Sequence, residues 1–251
     1  MNLRVFQTAQ DAAHAAAAAV AAQLARKPRS VLGLPTGRTT LAVYDELARL
    51  HETGGADFSQ AHTFNLDEFV GLPSNDKRSY CAFMQKHLFT RINLPGAHIH
   101  FLNGGTRDHD AECDRFEREI AALGGMDLLL LGIGSNAHIG FNEPAPALHA
   151  RSHKTRLALA TRRANASRFG GRLDRVPREA LTMGIGTMLD ARAIVLIATG
   201  REKARAVSSM FEPRISTDRP ASVLQLHRSV EVILDLPAAE KLPQSGFDAQ
   251  T

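Results

Sequence analysis

The segment His138-Ile139-Gly140-Phe141-Asn142-Glu143-Pro144 carries an imidazole and a carboxylate on a stretch broken by Gly140 and Pro144, so it can fold back as a loop. A carboxylate that accepts an imidazole N–H selects the ring tautomer and tunes it as a general acid/base requires. The plainer use of a lone histidine beside an apolar strand is structural. A metal reading needs at least a third ligand, and no H-x-H or H-x-x-x-H pattern lies nearby; His98-Ile99-His100 is distant in sequence. A second cluster, Asn65-Leu66-Asp67-Glu68-Phe69, puts two adjacent carboxylates at the end of a short apolar run. If strand alternation continues, Asp67 and Glu68 face opposite sides, one entering a crevice while the other anchors the loop. A solvated turn is the alternative.

Gly33-Leu34-Pro35-Thr36-Gly37-Arg38-Thr39-Thr40 follows an apolar run and starts a helical pattern. Free N–H groups at a helix N-terminus, a glycine that permits close approach, and added hydroxyls would hold a phosphate dianion at Gly37, Arg38, Thr39 and Thr40. An ordinary strand-to-helix turn with a Thr cap explains the same residues. The stretch fails as a Walker A loop, because its glycines are too close together and Arg38 stands where the lysine belongs. Gly132-Ile133-Gly134-Ser135-Asn136-Ala137 matches the dinucleotide fingerprint formally, but no Asp or Glu lies between Glu143 and Asp174 to hold a ribose. Lys203, just after Thr199-Gly200, could set an ammonium over the same crevice or be a surface lysine.

These clusters fall at the ends of apolar runs, and the runs alternate with longer helical patterns. Ser30 to Leu34, His62 to Leu66, Met126 to Leu131 and Ala193 to Ala198 predict strands, with weaker candidates at Leu3 to Phe6, His98 to Phe101, Thr155 to Leu159 and Val230 to Leu234. Alternation of this kind predicts an α/β fold: a single-domain open, mostly parallel twisted sheet with helices on both faces, Rossmann-like in type. Ligands of such sheets bind at the carboxyl ends of the strands. No linker divides the chain, so one domain is expected over 1–241 with a frayed tail over 242–251.

Composition is that of an ordinary globular protein, 44% hydrophobic and 22% charged over 251 residues. A net charge of +4 invites a nucleic-acid partner. The basic residues do not cluster on one face, however, and with no Trp and two Tyr stacking platforms are scarce. An anionic small molecule is the preferred partner, with no nucleic acid and no membrane. Cys81 and Cys113 form no C-x-x-C pattern, which indicates neither a disulfide framework nor a cysteine zinc site and makes a cytoplasmic setting the default. Ala12 to Ala25 predicts a first helix rather than a signal peptide, because His14 and Gln23 interrupt it.

Taken in order, the segments resemble the glucosamine-6-phosphate deaminase (isomerase) family, within the group that includes 6-phosphogluconolactonases and ribose-5-phosphate isomerases. The similarity runs from about Leu3 to Leu236 through Leu32 to Thr40, Thr63 to Pro73, Leu131 to Pro144, Ala180 to Thr187, Ala198 to Lys203 and Leu224 to His227. The pair N-L-D-E-F-V-G-L-P and H-I-G-F-N-E-P belongs to the deaminase branch. The resemblance implies conversion of glucosamine 6-phosphate to fructose 6-phosphate and ammonia in amino-sugar catabolism, without metal or organic cofactor. It implies His138 as the acid/base that opens the pyranose ring, Glu143 and Asn136 as the groups that orient it, and Asp67 as the base that moves the C2 proton to C1. It also implies that Lys203 and Arg168 complete the phosphate clamp, although Asn165-Ala166-Ser167-Arg168-Phe169 is one residue longer than the family pattern. Ala137 stands where the family has Gly, which predicts a stiffer backbone and a methyl group beside the sugar. Thr40 stands where it has Pro. A related isomerase or lactonase-like hydrolase, and a non-catalytic sugar-phosphate sensor, are the competing readings; a homo-oligomer is left open.

Overall fold

The computed structural model describes residues 1–243. In chain order its strands are Asn2–Phe6 (β1), Val31–Leu34 (β2), His62–Asn65 (β3), Asp67–Phe69 (β4), Ile99–His100 (β5), Leu128–Leu131 (β6), His153–Arg156 (β7), Glu179–Thr182 (β8), Ile194–Ala198 (β9) and Val230–Asp235 (β10). Seven of them make one parallel sheet in the order β1-β10-β9-β6-β2-β3-β5. Strands β2, β6 and β9 are buried along their whole length, which is why their sequences read as near-continuous apolar runs. One core packs on each face. Val5, Phe64, Leu129, Leu196 and Val232 belong to one, and Leu32, Leu130, Val195 and Ile233 to the other, as strand alternation demands.

The helices are Ala9–Arg26 (α1), Arg38–Glu52 (α2), Tyr80–His87 (α3), His109–Ala122 (α4), Leu159–Asn165 (α5), Ile185–Leu189 (α6), Ala204–Met210 (α7) and Leu236–Ala239 (α8). The Ala-rich stretch is α1, capped by the Thr8 hydroxyl that accepts the Asp11 N–H at 3.1 Å. Ser79 caps α3 and Asp108 caps α4 in the same way. Such a cap contributes about 1 kcal/mol. Helix α2 has none: its N-cap is Gly37, with φ +154° and ψ 170°, a conformation open to glycine alone.

The structure differs from these expectations in four places. Strands β4, β8 and β7 form a second, antiparallel sheet, with Asp67 opposite Thr182 and Thr155 opposite Ala180. Neither β8 nor a strand β4 directly after the His62 to Leu66 run is among the sequence expectations, because such short strands carry no periodicity of their own. The strand predicted over Thr155 to Leu159 lies at His153–Arg156, and Leu157 instead joins a small core with Phe69, Tyr80, Phe141 and Phe169. Lys203 ends a 3-10 turn, Arg201–Lys203, ahead of α7. Of the expected tail, Leu242 is buried in the main core, and 244–251 lie outside the described residues. Among the described residues no helix is long and apolar enough to cross a membrane.

Candidate active site

Strand order reverses between β2 and β6. From β2 the chain continues outward through β3 and β5, and from β6 through β9 and β10. The loops that leave these strands therefore open a crevice at their carboxyl ends. Four sequence clusters meet there: Gly37–Thr40 after β2, Asp67 after β3, the loop 132–143 after β6, and Lys203 after β9.

Helix α2 offers its first N–H groups with no side chain to satisfy them. A Cβ on Gly37 would meet nothing within 4 Å, so the loop faces open space. Thr40 departs from its expected role. It is buried, and its hydroxyl donates to the Gly37 carbonyl at 3.0 Å, so that hydroxyl shapes the loop rather than facing a ligand. Arg38 and Thr39 are more open. The Lys203 ammonium donates to the Ile133 carbonyl at 2.7 Å. Burial lowers its pKa; Glu202 opposes this and the nearby positive charge of Arg38 adds to it. Two cations close enough to repel, over an uncapped helix start, make a site for an anion.

Asp67 and Glu68 take the opposite sides that alternation predicts. Glu68 anchors: its carboxylate accepts the N–H groups of Phe69 at 2.9 Å, Tyr80 at 3.0 Å and Cys81 at 3.0 Å, pinning the start of α3. Asp67 is 6% exposed, and among the described residues no donor bonds its carboxylate. Burial, and then the charge of Glu68, push its pKa up to about 8. A desolvated carboxylate with no partner is a strong base once ionised.

His138 lies against the backbone of Gly134, where a Cβ would come within 2.2 Å of the imidazole Cε1. This close approach accounts for the second glycine of the G-x-G pattern. Nδ1 is 2.6 Å from Asn136 Oδ1, 3.3 Å from Glu143 Oε2 and 3.5 Å from Thr161 Oγ1. Asn136 Nδ2 donates to Glu143 Oε2 at 2.8 Å, so its Oδ1 is the acceptor facing the ring. Thr161 gives its proton to Glu143 Oε1. Acceptors thus surround Nδ1, which carries the ring proton and leaves Nε2 to exchange one. The imidazole thus meets Glu143 directly, as expected from sequence, and also through Asn136, which bonds both groups at shorter distances. Burial raises the Glu143 pKa, but the hydrogen bond and charge of His138, with Thr161 and Asn136, outweigh it and hold the carboxyl at about 2.

Arg168 lies over the ring of Phe83 at 4.5 Å and of Tyr80 at 5.1 Å. The Tyr80 phenol donates to Asn165 Oδ1 at 3.0 Å, and the Thr36 side chain also reaches it. Tyr80 and Thr161 carry no chemical signature in sequence, and Asn165 enters the sequence analysis only as the start of the Arg168 pattern. Ala137 has φ +64°, the one non-glycine at positive φ among the described residues. Its methyl belongs to the main core, so the expected intrusion beside the sugar is corrected. A surface groove between α1 and α2, lined by His14, Glu46 and Arg49, contains none of these residues.

Fold and site define an α/β protein in which an uncapped helix start, a buried carboxylate and an imidazole fixed at Nδ1 lie at a sheet switch point. The chain belongs to the family of glucosamine-6-phosphate isomerases and 6-phosphogluconolactonases, whose model matches residues 5–233. It is 44% identical over 234 residues to a glucosamine-6-phosphate deaminase of Geobacillus sp., covering 93% of each chain. To the deaminase of Bacillus velezensis it is 45% identical over 240 residues, covering 95% of this chain and 99% of that one. A solved structure of a monomeric glucosamine-6-phosphate deaminase is 42% identical and covers 96% of this chain and 100% of that one, with a TM-score of 0.93. A 6-phosphogluconolactonase from Thermotoga maritima, 18% identical with a TM-score of 0.72, shares the fold.

Proposed function

We propose that this protein converts glucosamine 6-phosphate and water to fructose 6-phosphate and ammonia. The observation that carries the reading is the pair of unlike proton-transfer groups at one crevice: Asp67, buried with no bonded donor, and His138, locked at Nδ1 and free at Nε2. Identities of 42–45% to named deaminases support the same substrate.

The chemistry divides between the two groups. Opening the pyranose ring takes a proton from the C1 hydroxyl and delivers one to the ring oxygen, a transfer between oxygens that suits an imidazole. Glu143 and Asn136 hold that imidazole in one tautomer and orientation. Asp67 removes the C2 proton, the C2–H electron pair becomes the C1–C2 double bond, and the C1 carbonyl oxygen takes a proton from the substrate's ammonium group, which gives the enolamine. The same carboxyl returns the proton at C1, which leaves an imine at C2. Water adds to that carbon and the C–N bond breaks, giving the ketone and ammonia. The anion site at Gly37 to Thr40, with Arg38, Lys203 and Arg168, holds the phosphate and supplies binding energy remote from the reacting carbons.

The setting proposed is the cytoplasm and the partner is the sugar phosphate; self-association, beside a relative described as monomeric, is read by sedimentation velocity. Incubation with glucosamine 6-phosphate should release ammonia and fructose 6-phosphate in equal amounts. Tight binding without turnover would instead mark a sensor, and turnover of a sugar-phosphate lactone a hydrolase.

A further inference from the structure

Helix α5 has Ala158 as its N-cap, which offers no side-chain cap of its own. Glu143 supplies one from elsewhere in the chain: its Oε1 accepts the Ala158 N–H at 3.2 Å and the Thr161 hydroxyl. The other carboxylate oxygen, Oε2, faces Asn136 and His138. One carboxylate therefore serves the start of α5 and the imidazole together. At the far end of α5 the Asn165 side chain donates to the Thr161 carbonyl at 2.9 Å and accepts the Tyr80 phenol, whose ring carries Arg168. A continuous line of contacts runs from Arg168 through Tyr80, Asn165, Thr161 and Glu143 to His138.

We propose that Thr161 is a positioning residue for ring opening, through which the segment that carries Arg168 sets the orientation of the His138 imidazole. Thr161 is 3% exposed, so water does not replace its hydroxyl. With Thr161 in place, both oxygens of Glu143 are bonded and the carboxylate has one orientation. Without it, Oε1 keeps a single backbone donor, and the carboxylate can rotate away from Asn136. The Nδ1 acceptors then lose their fixed arrangement, and Nε2 its aim. Grip on the phosphate by Arg168 would order this segment, so that the acid/base is aligned when substrate is held.

The inference rests on the deaminase reading, and the wild-type protein tests that reading first, by ammonia release from glucosamine 6-phosphate. Thr161→Val keeps the shape and removes the hydroxyl; Thr161→Ser keeps the hydroxyl in a side chain that folds in its place. The expected result is a loss of about tenfold in kcat for Thr161→Val, the size of one hydrogen bond to a charged group, with KM within about twofold and Thr161→Ser within about twofold of wild type. The 5-deoxy analogue of glucosamine 6-phosphate, which cannot close the pyranose ring, should be turned over by Thr161→Val at nearly the wild-type rate. Equal losses on both substrates, a Thr161→Ser rate no better than that of Thr161→Val, or an unchanged kcat in Thr161→Val would each overturn the role. If Thr161→Val does not fold, a Thr161→Ser protein impaired equally on the two substrates overturns it just as well.

Discussion

Asp67 stands directly opposite Thr182 in the small antiparallel sheet, and the Thr182 hydroxyl accepts the Phe141 N–H at 3.0 Å. The proposed base and the loop of the imidazole are thus fastened to one strand, β8. Around them Phe69 packs on Tyr80, Phe141 and Phe169 with ring centroids 4.8, 5.6 and 5.5 Å apart. Rigid aromatic packing of this kind holds reacting groups to a fraction of an ångström, which is what proton transfer between neighbouring carbons requires.

Asp67→Asn should abolish exchange of the C2 proton with solvent while leaving phosphate-dependent binding nearly intact; exchange at the wild-type rate would remove Asp67 as the base. In the free enzyme Asp67 must lose its proton to act, so kcat/KM should rise with pH to a plateau with its midpoint near 8. The stability effect has the opposite sign. A carboxyl whose pKa rises on folding from 3.8 to about 8 contributes stability that is present below 3.8 and lost as pH rises through 8. Asn does not titrate, so Asp67→Asn should melt increasingly above the wild type between pH 4 and pH 9.

His138→Gln should slow glucosamine 6-phosphate far more than its 5-deoxy analogue, and equal losses would exclude the ring-opening role. Gly134→Ala offers a gentler version. Its methyl group would displace the imidazole, the flexible neighbour 2.2 Å away, so kcat should fall at least about tenfold with the melting temperature little changed.

Lys203→Met should raise KM about ten- to a hundredfold, with a smaller change in kcat, because a charge-assisted contact to phosphate is lost. Glucosamine, which lacks the phosphate, should be handled equally by both proteins. A kcat-only loss would show that the contact to the Ile133 carbonyl, not the phosphate, is what Lys203 serves.

Ala137→Gly should change little. Relief of a left-handed alanine gains about 1–2 kcal/mol. Against that stand the greater chain entropy of glycine, about 0.5–1 kcal/mol, and the loss of a buried methyl, about 0.8 kcal/mol. Unfolding free energies within about 1 kcal/mol and unchanged kinetics are expected; a large gain in kcat would return the methyl to the sugar site.

The strands of the main sheet, the crevice at their ends, and the segments of Asp67, His138, Glu143 and Lys203 were legible in the sequence. Apolar runs, glycine turns and short-range spacing are local properties, and chemical side chains announce themselves by type. The second sheet was not legible, since β4 and β8 are three and four residues long and pair across more than a hundred positions. Nor was the relay from His138 to Glu143 through Asn136, which sequence alone could list only by resemblance. Thr161 and Tyr80 look like any threonine and tyrosine, and became part of the site only when α5 and α3 packed beside it. Sequence determined which groups reach the crevice. Tertiary packing decided which carboxylate is bonded and which is left bare, and that difference in environment separates the anchor Glu68 from the proposed base Asp67.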